Sequence, residues 1–171
     1  MSRIRLTPLD TSHLPALAPL IADPETVRFT RVPADPPAGF IEYWYGLYEN
    51  GRLDGTRDGF AIVDEGGGFL GLALAPSIEA AARTVELGYM VAPHARGRGV
   101  ATEALRLLTE WAENELGVLR IELLISVGNT PSKRVAERSG YSLEGVLRSV
   151  HLKEDVREDM EVWSRIAADR A

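Results

Sequence analysis

The chain has 171 residues, 45% apolar and 26% charged, a size that buries about two thirds of its unfolded surface without staples, so a single domain over residues 1–171 is expected. Its formal net charge of −6 excludes a general nucleic-acid binder, which needs surplus Lys and Arg facing phosphates, and fits a cationic substrate such as an amine. The absence of cysteine excludes a disulfide framework and any thiol nucleophile, and His13, His94 and His151 stand apart, so no metal site is expected.

In chain order, residues 3–6 alternate charged and apolar and predict a short strand ended by Pro8. Asp10 or Ser12 can cap a helix with Leu14, Leu17 and Ile21 on one face, closed by Asp23 and Pro24. Arg3 and Arg5 ahead of the apolar stretch 14–21 imitate a secretory signal, but Asp10 and two prolines interrupt it and it is too short to span a bilayer. A cytoplasmic protein with no membrane partner is therefore expected.

After a proline-rich connector through Pro37, residues 39–50 carry Phe40, Tyr43, Trp44, Leu47 and Tyr48 at helical spacing, a stripe expected to pack on a sheet. Residues 59–63 and 69–75 form a hairpin across the glycine-rich turn 64–68, and Thr84–Val91 supplies a central strand. A helix follows over 100–116, stopped by Gly117, then a strand over 119–126 that reads as covered on both faces. Thr130 caps a helix that starts at Pro131 and ends at Gly140, and strands over 141–150 and 159–163 complete an α+β chain with a mixed, twisted sheet.

Two places carry chemistry. Between the central strand and the helix after it lies Arg96-Gly97-Arg98-Gly99-Val100-Ala101. A glycine-rich turn opening a helix aims several backbone N–H groups at one point, a site for phosphate or pyrophosphate, and the two arginines add charge. The dinucleotide fingerprint fails because its third glycine would be Thr102, and a Walker loop fails because the only lysines are Lys133 and Lys153. The other place is Glu86, a carboxylate in a strand that is otherwise apolar; it is either paired with Arg83 or Arg120 or kept for function.

The spacing of Arg96, Gly99 and Ala101 after the strand that runs from Glu86 to Val91 resembles the acetyl-CoA pyrophosphate loop of the GNAT superfamily of N-acetyltransferases. A second stretch, from Asn129 through Ser132 to Gly140-Tyr141, is similar to that family's later motif. The nearest resemblance is to the Rim-type branch, the ribosomal-protein N-terminal acetyltransferases and their small-molecule-modifying relatives. It implies a mostly antiparallel, twisted sheet of about seven strands flanked by about four helices. It also implies acetyl-CoA as co-substrate, direct acetyl transfer to a primary amine of a protein N-terminus or small molecule, and a homodimer built on the late strands.

The resemblance further implies roles. Arg96, Gly97, Arg98, Gly99, Val100 and Ala101 would hold the pyrophosphate, and Met90 and Val91 would flank the pantetheine arm, one of their amides polarising the thioester carbonyl. Asn129 would touch the pantetheine, its alternative being a cap; Lys133 and Arg134 would approach phosphates, their alternative being a solvated helix face. Glu86 would take the proton of the acceptor ammonium, and Ser132, in competition with Tyr141, would protonate the departing sulfur. One or two of the rings on the helix over 39–50 would also wall the acceptor pocket. The competing reading is a non-catalytic acyl-CoA-binding or regulatory module on the same fold.

Overall fold

The computed structural model describes residues 3–170. Seven strands, β1 (Ile4–Pro8), β2 (Asp58–Asp64), β3 (Phe69–Glu79), β4 (Thr84–Val91), β5 (Arg120–Ser126), β6 (Ser142–Lys153) and β7 (Val156–Ile166), form one sheet in the order β1-β2-β3-β4-β5-β7-β6. Neighbours are antiparallel except β4 and β5, which are parallel. Parallel neighbours need a crossover, and a helix supplies it.

Five α-helices flank the sheet, against the four expected: α1 (Leu14–Ile21), α2 (Pro24–Phe29), α3 (Phe40–Asp54), α4 (Val100–Asn114) and α5 (Thr130–Arg138). The additional one is α2. Asp23 and Pro24 do not only close α1; the Asp23 carboxylate accepts from Thr26 N at 2.9 Å and caps α2, with Pro24 at its first position. A six-residue helix is too short to show a period. The cap of α5 is likewise Asn129, one residue earlier than expected.

Alternation along the strands separates two cores. Val85, Leu87, Ile121, Leu123 and Ile125 pack with the α4 stripe Ala104, Leu105, Leu108 and Ala112 and with Ala136 of α5. On the other face Leu72, Leu74 and Met90 pack with Leu17 and Leu20 of α1 and Tyr48 of α3, and Phe40 and Trp44 join them. The aromatic stripe of α3 is thus mainly core, although Tyr43 is exposed. At ~25 cal/mol per Å² of apolar surface removed from water, each such buried leucine contributes roughly 1.5–3 kcal/mol.

Two features shape β4. Pro76 lies where β3 gains an extra residue against β4, in the register shift between Leu74 and Ser77, the setting a strand proline tolerates. Gly71, at φ +150°, brings β3 so close that an added Cβ would lie 2.1 Å from the Met90 carbonyl oxygen.

Candidate active site

Strands β4 and β5 pair only from Thr84–Arg120 to Glu86–Glu122 and then part. Past Glu86, β4 remains paired to β3 and β5 to β7, so a wedge-shaped gap opens between them toward their carboxyl ends. Helices α4 and α5 begin at the mouth of this gap. The carboxyl ends of parallel strands, where connections diverge, are where open sheets bind ligands.

Ala92 N donates to Leu70 O at 2.8 Å. Alternation along an antiparallel ladder then pairs Met90 with β3 and turns the peptide groups of Tyr89 and Val91 toward the gap. Of the two residues expected beside a pantetheine arm, Val91 offers the free backbone edge and Met90 is buried under α1 and α3. The Val91 carbonyl accepts from Arg96 Nε at 3.1 Å, which leaves its N–H as the donor toward the gap.

The turn before α4 has Gly97 at φ +69° and Gly99 at φ +79°, so residues flanking them alternate in hand and their N–H groups converge. Gly99 is the N-cap of α4 and no side chain covers it. Val100 is buried and anchors the helix start, while Gly97, Arg98 and Gly99 are exposed. The Arg96 side chain points elsewhere: it donates to Asp23 at 2.5 Å, Glu25 at 2.9 Å and Thr26 at 3.3 Å, binding the loop to the first turn of α2. Arg96 in turn holds the Asp23 carboxyl below its ordinary range. Arg98 makes no hydrogen bond or ion pair among the described residues.

Across the gap, Asn129 Oδ1 accepts from Ser132 N at 3.2 Å, fixing the first turn of α5. The Ser132 hydroxyl lies 2.8 Å from the Tyr89 hydroxyl of β4. Burial pushes the Tyr89 phenol up to about 12. Tyr89 escaped sequence reasoning, although alternation from Glu86 could have set it on the sheet face that α5 covers. Tyr141, the rival of Ser132, is buried with its hydroxyl 2.7 Å from Thr109 Oγ1, away from the gap. Lys133 Nζ binds Val127 O at 2.9 Å and Glu161 at 3.0 Å, whereas Arg134 is exposed on α5.

Glu86 stands on the opposite face from Tyr89, the face of Met90. Neither expected arginine pairs with it: Arg83 donates to Gly117 O at 2.5 Å, and Arg120 binds Glu122 at 2.6 Å and Glu144 at 2.7 Å. Burial raises the Glu86 carboxyl above its ordinary range, and the Glu122 charge adds to this while Arg31 and Arg57 oppose it. Glu86 makes no ion pair among the described residues. The charges of Arg57, Glu86 and Arg31 act on the buried Tyr48 hydroxyl of α3, while Phe40 and Trp44 line a cleft with Leu72 and Met90 on the same sheet face.

The β6–β7 hairpin closes that side. A register shift between Leu147 and His151, with Ser149 at φ +57°, bends β6. Its end docks on α2 and the segment after it: Lys153 Nζ donates to Val27 O and Thr30 O, and Glu154 accepts from Ala34 N at 2.9 Å. A cavity of about 260 Å³ is left between Arg31 and the stretch from Val150 to Lys153. Among the described residues there is no cluster of His, Cys, Asp and Glu that could hold a metal, and no helix long and apolar enough to cross a membrane.

Residues 3–142 match the acetyltransferase (GNAT) domain family. The probable N-acetyltransferase YjcK of Bacillus subtilis is 32% identical over 130 residues, covering 75% of this chain and 64% of that protein. The ribosomal-protein-serine acetyltransferase of Escherichia coli is 30% identical over 89 residues, 52% of this chain and 50% of that protein. The matched stretches therefore span half to just under two thirds of these curated relatives. In fold, the chain superposes on the spermidine N-acetyltransferase from Vibrio cholerae in complex with CoA and spermine with a TM-score of 0.85 at 19% identity, covering 97% of this chain and 96% of that one.

Proposed function

The chain belongs to the GNAT acetyltransferase family, and on that premise we propose that it is an N-acetyltransferase with acetyl-CoA as co-substrate and a primary amine as acceptor. The gap between β4 and β5, with the glycine turn at its mouth, supports this reading above all. The turn's amides and the exposed Arg98 would take the pyrophosphate, with Arg134 on the facing helix. The pantetheine arm would lie in the gap against Val91, beside Asn129 and Ser132.

In the reaction, Glu86 accepts the ammonium proton of the acceptor from one sheet face. The freed nitrogen lone pair attacks the thioester carbonyl carbon, whose oxygen the Val91 amide polarises. The C–S bond breaks with its electron pair on sulfur, the new amide nitrogen gives up its second proton to solvent, and the thiolate takes the phenolic proton of Tyr89 from the other face. Ser132 holds that phenol and returns a proton to it from solvent. A phenol is a far stronger proton donor than an aliphatic hydroxyl, so the pair outperforms Ser132 alone. Cys-free chemistry of this kind needs no acetyl-enzyme.

We extend the proposal to one catalytic unit over residues 1–171, to a cytoplasmic location, because a multiply charged thioester does not cross a bilayer unaided, and to a homodimer along β6. Calorimetric titration with acetyl-CoA, followed by CoA release over a panel of amines that includes peptide N-termini, tests the activity. Tight binding with no release against any acceptor would replace it with the non-catalytic module.

A further inference from the structure

The surroundings of Glu86 point to the kind of amine it serves. Arg31 and Arg57 act on the Glu86 carboxylate, yet neither makes an ion pair among the described residues. Two such guanidinium groups are poor company for a polycation approaching the base. Arg31 also borders the cavity of about 260 Å³. The other basic groups there are Lys153, whose ammonium is taken up by carbonyls of α2 and Thr30, and His151. Burial and Arg31 lower the His151 pKa, which leaves a neutral imidazole able to donate. Glu158, opposite His151 in register, Glu154, bound to Ala34 N, and Asp155 beside it in the turn are the acidic groups of this hairpin end.

We propose that the acceptor is an amine bearing a carboxylate or phosphate, and that the cavity of Arg31 and His151 receives this anionic group while the amine meets Glu86. The inference rests on the acetyltransferase reading. A planar guanidinium fork suits both anions, and Arg31 is exposed. The overall charge of −6 suggests a cationic partner, whereas the groups without an ion pair beside Glu86 include the guanidiniums of Arg31 and Arg57.

The test compares CoA release for β-alanine against β-alaninamide and for O-phosphoethanolamine against ethanolamine, with spermidine as the polycation. The anionic member of at least one pair is expected to have a kcat/KM at least tenfold higher, the pair telling carboxylate from phosphate. Arg31→Ala raises KM for that member at least tenfold and affects its neutral counterpart far less; Arg31→Lys recovers part of the loss. Equal turnover within both pairs, or a preference for spermidine, overturns the inference. Calorimetry with N-acetyl-β-alanine and N-acetyl-O-phosphoethanolamine on the CoA-loaded protein separates the two ideas. Binding abolished by Arg31→Ala supports the anion site even if no amine releases CoA, which would sink only the transferase reading. Absence of binding to the unsubstituted protein overturns the site.

Discussion

The hydroxyl of Tyr89 lies 2.8 Å from that of Ser132, 43 residues away in sequence, and bridges the gap that β4 and β5 open. With the phenol pushed up to about 12 by burial, Tyr89 carries its proton throughout the neutral range, the form a general acid needs as the C–S bond breaks. Tyr89→Phe should lower kcat roughly 100-fold, in line with general acid catalysis, with little change in KM for acetyl-CoA. If the two hydroxyls act as a unit, adding Ser132→Ala to Tyr89→Phe should cost little more than Tyr89→Phe alone. Undiminished kcat in Tyr89→Phe would mean that the thiolate leaves without a donor.

Glu86 has the reverse problem, a proton it holds too readily. Its carboxyl is raised above the ordinary value of 4.5 chiefly by burial. Only the ionised form accepts a proton, so kcat/KM should fall on the acid side with a midpoint above that value, and Glu86→Gln should lose about 100-fold and flatten this limb. The raised pKa means the folded state favours the protonated form. Glu86 therefore supports the fold at low pH, and that support is lost as pH rises through the raised pKa. Glu86→Gln should accordingly melt higher than the unsubstituted protein at neutral pH, with the gain vanishing in acid. An equal melting difference at every pH would show that ionisation is not the cause.

The two arginines of the glycine turn before α4 should behave differently. Arg96 joins the turn to α2 through Asp23, Glu25 and Thr26 and holds the Val91 carbonyl. Arg96→Ala removes charged hydrogen bonds and should destabilise the fold by about 1–3 kcal/mol while weakening acetyl-CoA binding; lysine cannot replace a fork that reaches several acceptors. Arg98 is exposed and makes no such contact among the described residues. Arg98→Ala should leave the melting temperature unchanged and reduce both acetyl-CoA affinity and its dependence on salt.

These residues mark how far the sequence could be read. Strand β4 matched its expected bounds because apolar residues run up to a proline, and α4 and its buried stripe followed from their period. The glycine turn and Asn129 were visible as local patterns. What escaped depends on distant partners: the Arg96 guanidinium is drawn to α2, and Tyr89 meets Ser132 only once α5 is laid over β4. Strands β6 and β7 run several residues beyond expectation, to Lys153 and from Val156, because their two-residue turn is Glu154-Asp155. Both are at positive φ, 48° and 64°, where Asn-Gly or Asp-Gly would have signalled a hairpin.

The proposed dimer rests on β6, the last strand of the sheet, whose outer edge has no partner among the described residues. Its 12 residues span roughly 40 Å at ~3.3 Å per residue. Leu143, Val146, Leu147, Val150 and Leu152 are 44 to 55% exposed along it. Five exposed apolar side chains along an unpaired edge are what proteins otherwise protect, and pairing with a second copy covers both its peptide groups and its side chains. Sedimentation should therefore find a dimer, and a Val146→Lys, Leu147→Glu double substitution should shift it to monomer. Because these residues are outside both cores, the monomer should stay folded by circular dichroism. A monomeric parent protein would remove the need for any partner on this edge, and a double variant that stays dimeric would place the interface elsewhere.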